Sequence, residues 1–557
     1  MTRVAAGLVL LLGLLVSGPA AADPSPRHGS PVLRHTSLGP VQGLDERRGS
    51  GTYSWLGIPY AAPPVDDLRW QATRTHRPWR EVRRTQEYGP GCAQPGRMFS
   101  PSPDGPHYDL DVRDGLGQAV GEEDCLTLNV FRPATKQKDL PVIVFVHGGS
   151  NVVGYSADPM YDGRTLARRA NAVVVTVNYR LGVFGWFDHP GLKTGDPLTD
   201  SGDFALLDQI ESLRFVQRNA TAFGGNPRNV SVMGESAGAV NVWALMVSPL
   251  TTGLMHRAIP LSGGLVTTPR ETAQAYAAQV GAAAVEDSGG SGEEADVLRS
   301  MPADELVRVT LRHRIDAIQQ VVADGTVIPT DAYGAIAAGR YRDVPILAGN
   351  TFEEGKLFGT AIGAHRPTDY ERFTMQYEFD PDAPAGLGVD DLISDAYLPV
   401  DGPGGWNEAS EALTRSVFLG IIEQSMSTVV AAGNDRAFYY ELGWNEEPAP
   451  FDQVYGSVHA IDLPFVFGNF GRSFYSFAFG RANESGRLDL STKLIGSISA
   501  FIRTGDPGHA RLGTRWEQWP KSMVLDATKR RAWTCAGTFG GQGGAAAADD
   551  AALACDG

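Results

Sequence analysis

Positive charge is in short supply in this 557-residue chain, which has 48 Lys and Arg residues against 64 Asp and Glu residues. The formal net charge of -16 argues against nucleic acid or anionic lipid as a partner, because such binding depends on clustered cations. With 42% hydrophobic and 20% charged residues, the chain has ample apolar material for a packed core and is not a disordered protein.

Cysteine is scarce as well, with Cys92, Cys125, Cys535 and Cys555 in the whole chain. Neither close pair has C-x-x-C spacing and no histidines cluster with them, so we predict no metal site. Of the three possible pairings, Cys92 with Cys125 and Cys535 with Cys555 close the shortest loops and are favoured in an oxidising compartment.

The amino terminus lacks an apolar run long enough to span a membrane. Residues 4–16 are apolar, whereas a span needs about 20 residues. Arg3 before this run and the small residues up to Ala22 are typical of a secretory leader. We therefore predict a signal peptide over residues 1–22, secretion to the extracellular space or periplasm, and a mature protein without a stable membrane anchor.

The rest of the chain alternates between strand-like and helix-like patterns. Unbroken apolar runs at 142–146 and 173–177 are typical of strands covered on both faces of a parallel sheet. A helical pattern over 204–223 is followed by a strand at 229–233, which is an α/β order. Further strands are expected at 345–348 and 437–440, and mainly helical insertions near 270–335 and 355–430. We predict one catalytic domain over 23–534 and a Gly/Ala-rich tail over 535–557, pinned by Cys535–Cys555.

The G-x-S-x-G motif of residues 234–238 places Ser236 between the predicted strand 229–233 and an apolar helix over 239–246. A serine at such a strand-to-helix turn is exposed at the carboxyl end of the sheet, and Gly234 and Gly238 remove side chains that would collide there. Ser236 is therefore the candidate nucleophile.

A serine hydroxyl needs a base and an orienting acid, which follow the nucleophile in the order acid, histidine. Five histidines follow Ser236: His256, His313, His365, His459 and His509. The first two precede the expected acid, His365 follows it too closely, and His509 lies in a Pro/Gly-rich stretch. Elimination leaves His459, in a loop beyond the strand 437–440.

The acid is expected just beyond a strand, and residues 345–350 lead into Glu353 and Glu354. Spacing alone leaves both glutamates open. For the oxyanion, His147, Gly148, Gly149 and Ser150 directly follow the strand 142–146 and are similar to an HGGG-type loop whose backbone N–H groups are donors.

Taken together, these features resemble the type B carboxylesterase/lipase family of α/β-hydrolases, which also contains the cholinesterases. The resemblance covers most of the mature chain and includes residues 56–61, 63–64, 68–70, 123–130, 178–182, 223–227, 234–238, 350–355, 459, 465–468 and 503–507.

The resemblance implies an α/β-hydrolase fold, with a large, mostly parallel sheet flanked by helices and helical insertions over the active-site end. It also implies a Cys92–Cys125 disulfide, no metal and no organic cofactor. The residue roles it implies are as follows: Ser236 as nucleophile, Glu354 as acid, His459 as base, and Gly149, Ser150 and Ala237 as oxyanion donors.

Two departures from the family pattern stand out. Relatives usually have Gly or Ala and then an aromatic residue after the His-Gly-Gly sequence, whereas this chain has Ser150 and Asn151. The family pattern therefore does not say which residues form the wall of the acyl pocket. No Trp lies between Cys92 and Cys125 to hold a quaternary ammonium, which argues against a cholinesterase.

We predict a secreted serine hydrolase of small-molecule carboxylic esters that forms an acyl-enzyme. The alternatives are a lipase of long-chain esters and a catalytically silent binding protein on the same fold.

Overall fold

The structure, a computed structural model, describes residues 30–317 and 320–540. The predicted signal peptide and Cys555 lie outside the described residues, so the leader and the Cys535–Cys555 bond stay predictions. The Cys92–Cys125 disulfide is present. No helix in the described part of the chain is both long and apolar enough to cross a membrane.

One large mixed sheet organises the described residues. Its strands are β1 Leu44–Glu46, β2 Thr52–Pro59, β3 Thr127–Pro133, β4 Leu140–Val146, β5 Val173–Val177, β6 Gly225–Glu235, β7 Arg257–Leu261, β8 Ile346–Thr351, β9 Ala437–Leu442, β10 Lys521–Ala527 and β11 Ala532–Thr538. Their spatial order is β11-β10-β9-β8-β7-β6-β4-β5-β3-β2-β1.

The centre of this sheet is parallel and its two margins are antiparallel. The strands from β5 through β4, β6, β7, β8 and β9 to β10 pair in parallel. The pairs β5–β3, β3–β2, β2–β1 and β10–β11 are antiparallel. Two of the central strands, β4 (LPVIVFV) and β5 (VVVTV), are wholly buried, as expected where helices cover both faces.

Twelve helices of six or more residues connect and cover these strands in the described chain. They are α1 Gly163–Ala170, α2 Phe204–Asn219, α3 Ala237–Val247, α4 Arg270–Asp287, α5 Glu294–Ser300, α6 Ala303–Arg312, α7 Ala332–Ala337, α8 Asp369–Glu378, α9 Trp406–Leu413, α10 Gly420–Ala431, α11 Asp462–Phe467 and α12 Glu484–Thr504. A π-helical turn, Thr414–Leu419, joins α9 to α10.

Shorter elements fill the connections. Four-residue helices are Val112–Gly115, Gly182–Gly185, Val389–Leu392 and Phe451–Val454. The 3-10 helices are Asp66–Leu68, Pro159–Tyr161, Pro190–Leu192, Thr199–Ser201, Ala220–Phe223, Pro249–Thr251, Glu354–Ile362, Asp395–Tyr397, Ser476–Ala478 and Arg481–Asn483. Minor strands are Leu33–His35, Pro40–Gln42 and Arg83–Arg84 in one sheet, Gln94–Pro95 with Ala119–Val120, and Thr267–Thr268 with Val321–Val322.

Alternate side chains of each central strand enter two different cores. In β4, Val142, Val144 and Val146 pack in a core that includes residues of α2, α3, α4 and α10. Ile143 and Phe145 pack on the opposite face, in a core that includes residues of α1, α11 and α12. This alternation follows from the two-residue period of a strand, and it holds the sheet between two apolar layers.

The ends of the central strands bring the predicted site residues to one edge. In the parallel register Val146 of β4 lies beside Gly234 of β6, and Glu235 lies beside Leu261 of β7. Leu261 in turn lies beside Gly349 of β8. The chain leaves these strands at His147, Ser236, Ser262 and residue 352, so four loops meet at the carboxyl edge.

The predicted elements agree with this architecture. The strand at 173–177 has the predicted bounds, and those at 142–146 and 229–233 are the cores of β4 and β6. The helical segments near 270–335 and 355–430 are also present. One boundary differs: β11 runs to Thr538, so Cys535 and the three residues after it, which we assigned to the tail, are part of the sheet. Their pairing with β10 explains the difference, because a strand needs only a neighbour and not an apolar pattern.

Candidate active site

Ser236 lies in the turn between β6 and α3, with a backbone φ of 56° and ψ of -123°. A non-glycine residue rarely adopts this conformation, and it persists only where the surroundings hold it. The Ser236 N–H donates to Leu261 O at 2.9 Å, and its carbonyl accepts from Ala239 and Val240 at the start of α3. The backbone at the turn is therefore held from both sides.

The glycines around Ser236 allow two backbones to approach closely. A Cβ on Gly238 would lie 2.1 Å from Val146 O, and one on Gly234 would lie 2.3 Å from Gly238 O. A Cβ on Gly148 would lie 3.0 Å from the Cβ of Ser236. The loop after β4 is thus packed directly against the serine, at a distance that only glycine permits.

The backbone N–H groups of Gly149, Ser150 and Ala237 are among those at this junction that donate to no group in the described residues. Gly149 and Ser150 belong to the loop after β4 and Ala237 begins α3. These N–H groups are available to a ligand oxygen. Binding one would also offset the free-energy cost of leaving backbone donors unbonded away from water. Gly149, Ser150 and Ala237 are the residues whose N–H groups the family resemblance implies as oxyanion donors.

The loop after β8 carries the two candidate acids, and their contacts differ. Glu354 is fully buried; its Oε1 accepts from Ser262 Oγ at 2.6 Å and from Thr351 N at 2.8 Å, and its Oε2 hydrogen-bonds His459 Nδ1. Glu353 instead forms an ion pair with Lys356 at 2.6 Å and accepts from Ser457 N at 2.8 Å. The geometry brings Glu354, and not Glu353, to the histidine.

His459 is 3% exposed and its ring is enclosed by aromatic residues. The rings of Phe418 and Phe358 lie 4.9 Å and 5.2 Å from it, centroid to centroid. Tyr475 donates its hydroxyl proton to His459 O. Because Glu353 N also donates to Ser457 O at 2.9 Å, the acid loop and the histidine loop are joined next to the imidazole.

The second ring nitrogen of His459 faces the turn that holds Ser236. His459 Nε2 lies 3.0 Å from Oε1 of Glu235, without hydrogen-bond alignment. No hydrogen bond joins the Ser236 hydroxyl to His459 in the described residues. Nε2 therefore lies next to the turn without a hydrogen bond to the serine hydroxyl. Hydrogen bonds between catalytic groups often tighten only when substrate binds.

Charge and burial oppose each other around the imidazole. Burial disfavours the imidazolium, but Glu235 and Glu354 outweigh it and raise the pKa of His459 to about 9. Burial raises the pKa of Glu235 to about 8. A proton on Glu235 removes one of the charges that favour the imidazolium, so the two groups titrate as a pair. Burial also raises the pKa of Asp462, whose carboxylate accepts from Tyr440 at 2.7 Å, to about 6.

Comparison with known proteins identifies the chain. The model of the carboxylesterase family matches residues 30–532. The para-nitrobenzyl esterase of Bacillus subtilis (strain 168) is 30% identical over 511 residues, which are 88% of this chain and 94% of that protein. The fumonisin B1 esterase of Sphingopyxis macrogoltabida is 30% identical over 92% of this chain and 87% of its own.

Solved structures agree. A thermophilic para-nitrobenzyl esterase superposes with a TM-score of 0.71 at 28% identity, over 91% of this chain and 98% of that one. The chain belongs to the carboxylesterase family. Its fold is the α/β-hydrolase fold, as predicted, and the protein is a carboxylic-ester hydrolase.

Several residues at the site of this carboxylesterase were missed by sequence reasoning. Glu235 is the first of the two variable residues of the G-x-S-x-G motif, and only the structure shows that it faces His459. Ser262 follows β7 with a φ of 54°, and its contact with Glu354 spans 92 positions. Phe418 reaches the ring from the π-helical turn. Of these residues, only Ser262 had a signal in the sequence: it is a polar residue directly after a strand, the position from which side chains reach the carboxyl edge of the sheet.

No group of three or more His, Cys, Asp or Glu side chains able to hold a metal ion is found in the part of the chain that the structure describes. Next to the donors, Asn151 is fully buried and its side chain hydrogen-bonds Asn241 of α3. The position after Ser150, which usually carries an aromatic side chain in relatives, is therefore used here for a polar contact inside the protein.

Proposed function

We propose that this carboxylesterase hydrolyses small-molecule carboxylic esters through an acyl-enzyme on Ser236. In this proposal His459 is the general base, Glu354 orients and stabilises the imidazolium, and the N–H groups of Gly149, Ser150 and Ala237 bind the oxyanion.

The observation that carries the proposal is the buried Glu354–His459 hydrogen bond, whose imidazole presents Nε2 towards the Ser236 turn. With Nδ1 bonded to a carboxylate, the imidazole keeps its proton on that nitrogen, and Nε2 is left as the acceptor. A base with this tautomer beside a strained serine is the arrangement that nucleophilic catalysis needs.

The steps follow from these positions. Ser236 Oγ bonds to the ester carbonyl carbon as its proton passes to His459 Nε2, and the carbonyl oxygen becomes an oxyanion held by the three N–H groups. Collapse of this intermediate breaks the bond to the alcohol oxygen, which takes the proton from His459. Water then attacks the acyl-enzyme by the same route, releasing the acid and the free serine.

The nucleophile is tested with Ser236→Ala, which we expect to remain folded and to lose about 10⁵- to 10⁶-fold in turnover. A serine-directed organophosphate should add its mass to a peptide that contains Ser236 in the parent protein and leave the variant unlabelled. Retained hydrolysis in the variant, or labelling of another residue, would contradict the assignment. Circular dichroism and thermal melting of both proteins provide the folding control.

The ester class is tested with a panel that varies the acyl group and the alcohol independently. The panel should include a para-nitrobenzyl ester, because that is the alcohol in the name of a relative 30% identical to this chain. We expect turnover of short-chain esters in solution. A preference for long-chain esters that appears only above their solubility limit would instead identify a lipase, and hydrolysis of no ester would favour a silent binding protein.

We also propose that the protein is secreted after cleavage near Ala22. The Cys92–Cys125 disulfide supports this, because such bonds persist mainly in oxidising compartments. Amino-terminal sequencing of protein from the periplasm or the culture medium should begin near Asp23. Peptide mapping without reductant tests the Cys535–Cys555 bond in the same sample, and a chain that begins at Met1 would contradict the proposal.

A further inference from the structure

Two buried asparagines join the loop after β4 to α3. Asn241 Nδ2 donates to Asn151 Oδ1 at 2.8 Å, and Asn151 Nδ2 donates to Asn241 Oδ1 at 3.3 Å. Both side chains are fully buried, and the residues are 90 positions apart. Each amide therefore gives its partner one donor and one acceptor. A single buried amide at this place would lose these hydrogen bonds and have no water to replace them.

The loop that carries Asn151 has a backbone that needs support. Gly149, Ser150 and Asn151 have successive φ values of 100°, 57° and 59°, all in the left-handed region. Glycine tolerates that region, whereas Ser150 and Asn151 occupy it at a cost that the surroundings must offset. The N–H groups of Val152 and Val153 both donate to Gly149 O at 3.0 Å, which closes the turn but does not attach it to another element.

A second polar contact holds the other end of the same loop. Tyr179, two residues beyond β5, donates its hydroxyl proton to His147 O at 2.7 Å, and this hydroxyl lies 3.5 Å from Asn151 Oδ1. The Tyr179 ring stacks on that of His147 at 4.5 Å between centroids. In addition, Gly182 N donates to Asn151 O at 2.8 Å. The loop is thus attached to the β5 side by Tyr179 and Gly182, and to α3 by Asn241.

The attachment to α3 matters because the three oxyanion donors come from two separate elements. The N–H groups of Gly149 and Ser150 move with the loop, and that of Ala237 moves with α3. A single oxyanion needs all three within hydrogen-bond distance at once, and a displacement of about 1 Å can cost 100-fold in rate. A direct side-chain bond between the two elements is a means of keeping that distance constant.

We infer that Asn151 and Asn241 are positioning residues, whose paired amides hold the oxyanion loop in register with the start of α3. The inference rests on the proposed function, because it assumes that Gly149, Ser150 and Ala237 bind the oxyanion. It explains why a polar side chain follows Ser150: the amide of Asn151 is used to fix the donors beside it.

The test compares Asn241→Ala, Asn151→Ala and the double variant. Turnover of a soluble ester should be expressed per active site titrated with an organophosphate, so that unfolded protein is not counted. We expect kcat to fall by about 10- to 100-fold in either single variant, with KM changed much less. The double variant should be close to the single variants, since each substitution already breaks the pair.

A second readout isolates the oxyanion donors. A trifluoromethyl ketone forms a tetrahedral adduct with the serine, and its oxyanion needs the same three N–H groups. We expect its inhibition constant to rise across the variants in proportion to the loss of kcat/KM. Asn434→Ala is the matched control: Asn434 is buried and donates to Asp343 and Val344 O, away from these donors. It should lower the melting temperature and leave kcat per titrated site unchanged.

Each outcome bears on one claim. Unchanged kcat per titrated site and unchanged ketone affinity in Asn241→Ala would overturn the inference, even if the melting temperature falls. Retained hydrolysis in Ser236→Ala would overturn the proposed function instead. If Asn241→Ala does not fold, Asn241→Ser, whose hydroxyl is too short to bridge to Asn151, takes its place. If neither variant folds, the pair is needed for folding rather than for positioning, and the inference is wrong.

Discussion

The two sides of the active site are built in different ways. On the nucleophile side, formed by the loop after β4 and the β6–α3 turn, two backbones pack so closely that a Cβ on Gly148, Gly234 or Gly238 would collide, and the Asn151–Asn241 pair joins them. The base side, formed by the loops after β8 and β9, is held by side chains: Glu354, Ser262 and two aromatic rings around His459.

This difference matches the chemistry that we propose for each side. Oxyanion donors stabilise charge only if they are aimed before the reaction begins, and backbone N–H groups in a close-packed turn do not have to reorganise. The base has to accept and return a proton, so its pKa must respond to the charges around it. We expect substitutions on the nucleophile side to act through distances, and those on the base side through charge and proton affinity.

The largest effect on the base side should come from Glu354→Gln, which we expect to lower kcat by about 10³- to 10⁴-fold. A neutral amide cannot stabilise the imidazolium and can select the wrong tautomer. Glu353→Gln is the matched control, since it breaks an ion pair with Lys356 without touching His459. It should change kcat less than about tenfold. Steady-state kinetics of both variants decide between the glutamates, and the reverse ranking would transfer the acid role to Glu353.

On the nucleophile side, Gly148→Ala should lower kcat by about 100-fold. The added methyl group would lie 2.6 Å from Glu235 Oε2 and 3.0 Å from the Cβ of Ser236, so the loop has to move away from the serine. Gly420→Ala is the control, because its Cβ meets nothing within 4 Å and alanine favours a helix. Kinetics with melting curves test both, and a fully active Gly148→Ala would break the proposed contrast between the two sides.

A charge change should shift the pH profile rather than abolish activity. Protonated His459 cannot accept the serine proton, so kcat/KM rises with pH through its pKa. Glu235→Gln removes a carboxylate that raises this pKa, and we expect the acid limb of kcat/KM to move to lower pH by about one unit. Glu441→Gln, a buried glutamate bonded to Ser522 at 2.6 Å, is the control. A limb that stays in place, or moves to higher pH, would contradict the role assigned to Glu235.

The smallest effect should come from Phe418→Ala. Phe418 contributes to the burial that lowers the pKa of His459, so admitting water there should move the acid limb slightly to higher pH, opposite to Glu235→Gln. We expect kcat to fall by only a few-fold, which is about what loss of one ring contact costs. Val417→Ala, an exposed neighbour on the same π-helical turn, should have no effect. A shift to lower pH in Phe418→Ala would show that the ring does not act through burial.

Sequence reasoning predicted the scaffold better than the contacts. The run at 173–177 was located to the residue because five successive β-branched side chains suit a strand buried on both faces. His459 was reached by elimination among five histidines and by its place in a loop beyond the strand 437–440. Spacing alone left the choice between Glu353 and Glu354 open, because it depends on contacts made in the folded protein. Ser262 donates to Glu354, whereas Ser457 and Lys356 hold the carboxylate of Glu353 away from the histidine.

The sequence by itself determined where the main strands and helices lie along the chain and which serine is the candidate nucleophile, because these depend on local periodicity and on a contiguous motif. The class of reaction came from the resemblance to a known family. The family resemblance implied Glu354 as the partner of His459, but only the tertiary structure showed that contact, that Glu235 faces the same ring, and that Asn151 pairs with Asn241 across 90 positions. The physical reason is that a hydrogen bond or an ion pair acts over about 3 Å, and distances of that size between distant residues are set by how the loops pack at the edge of the sheet.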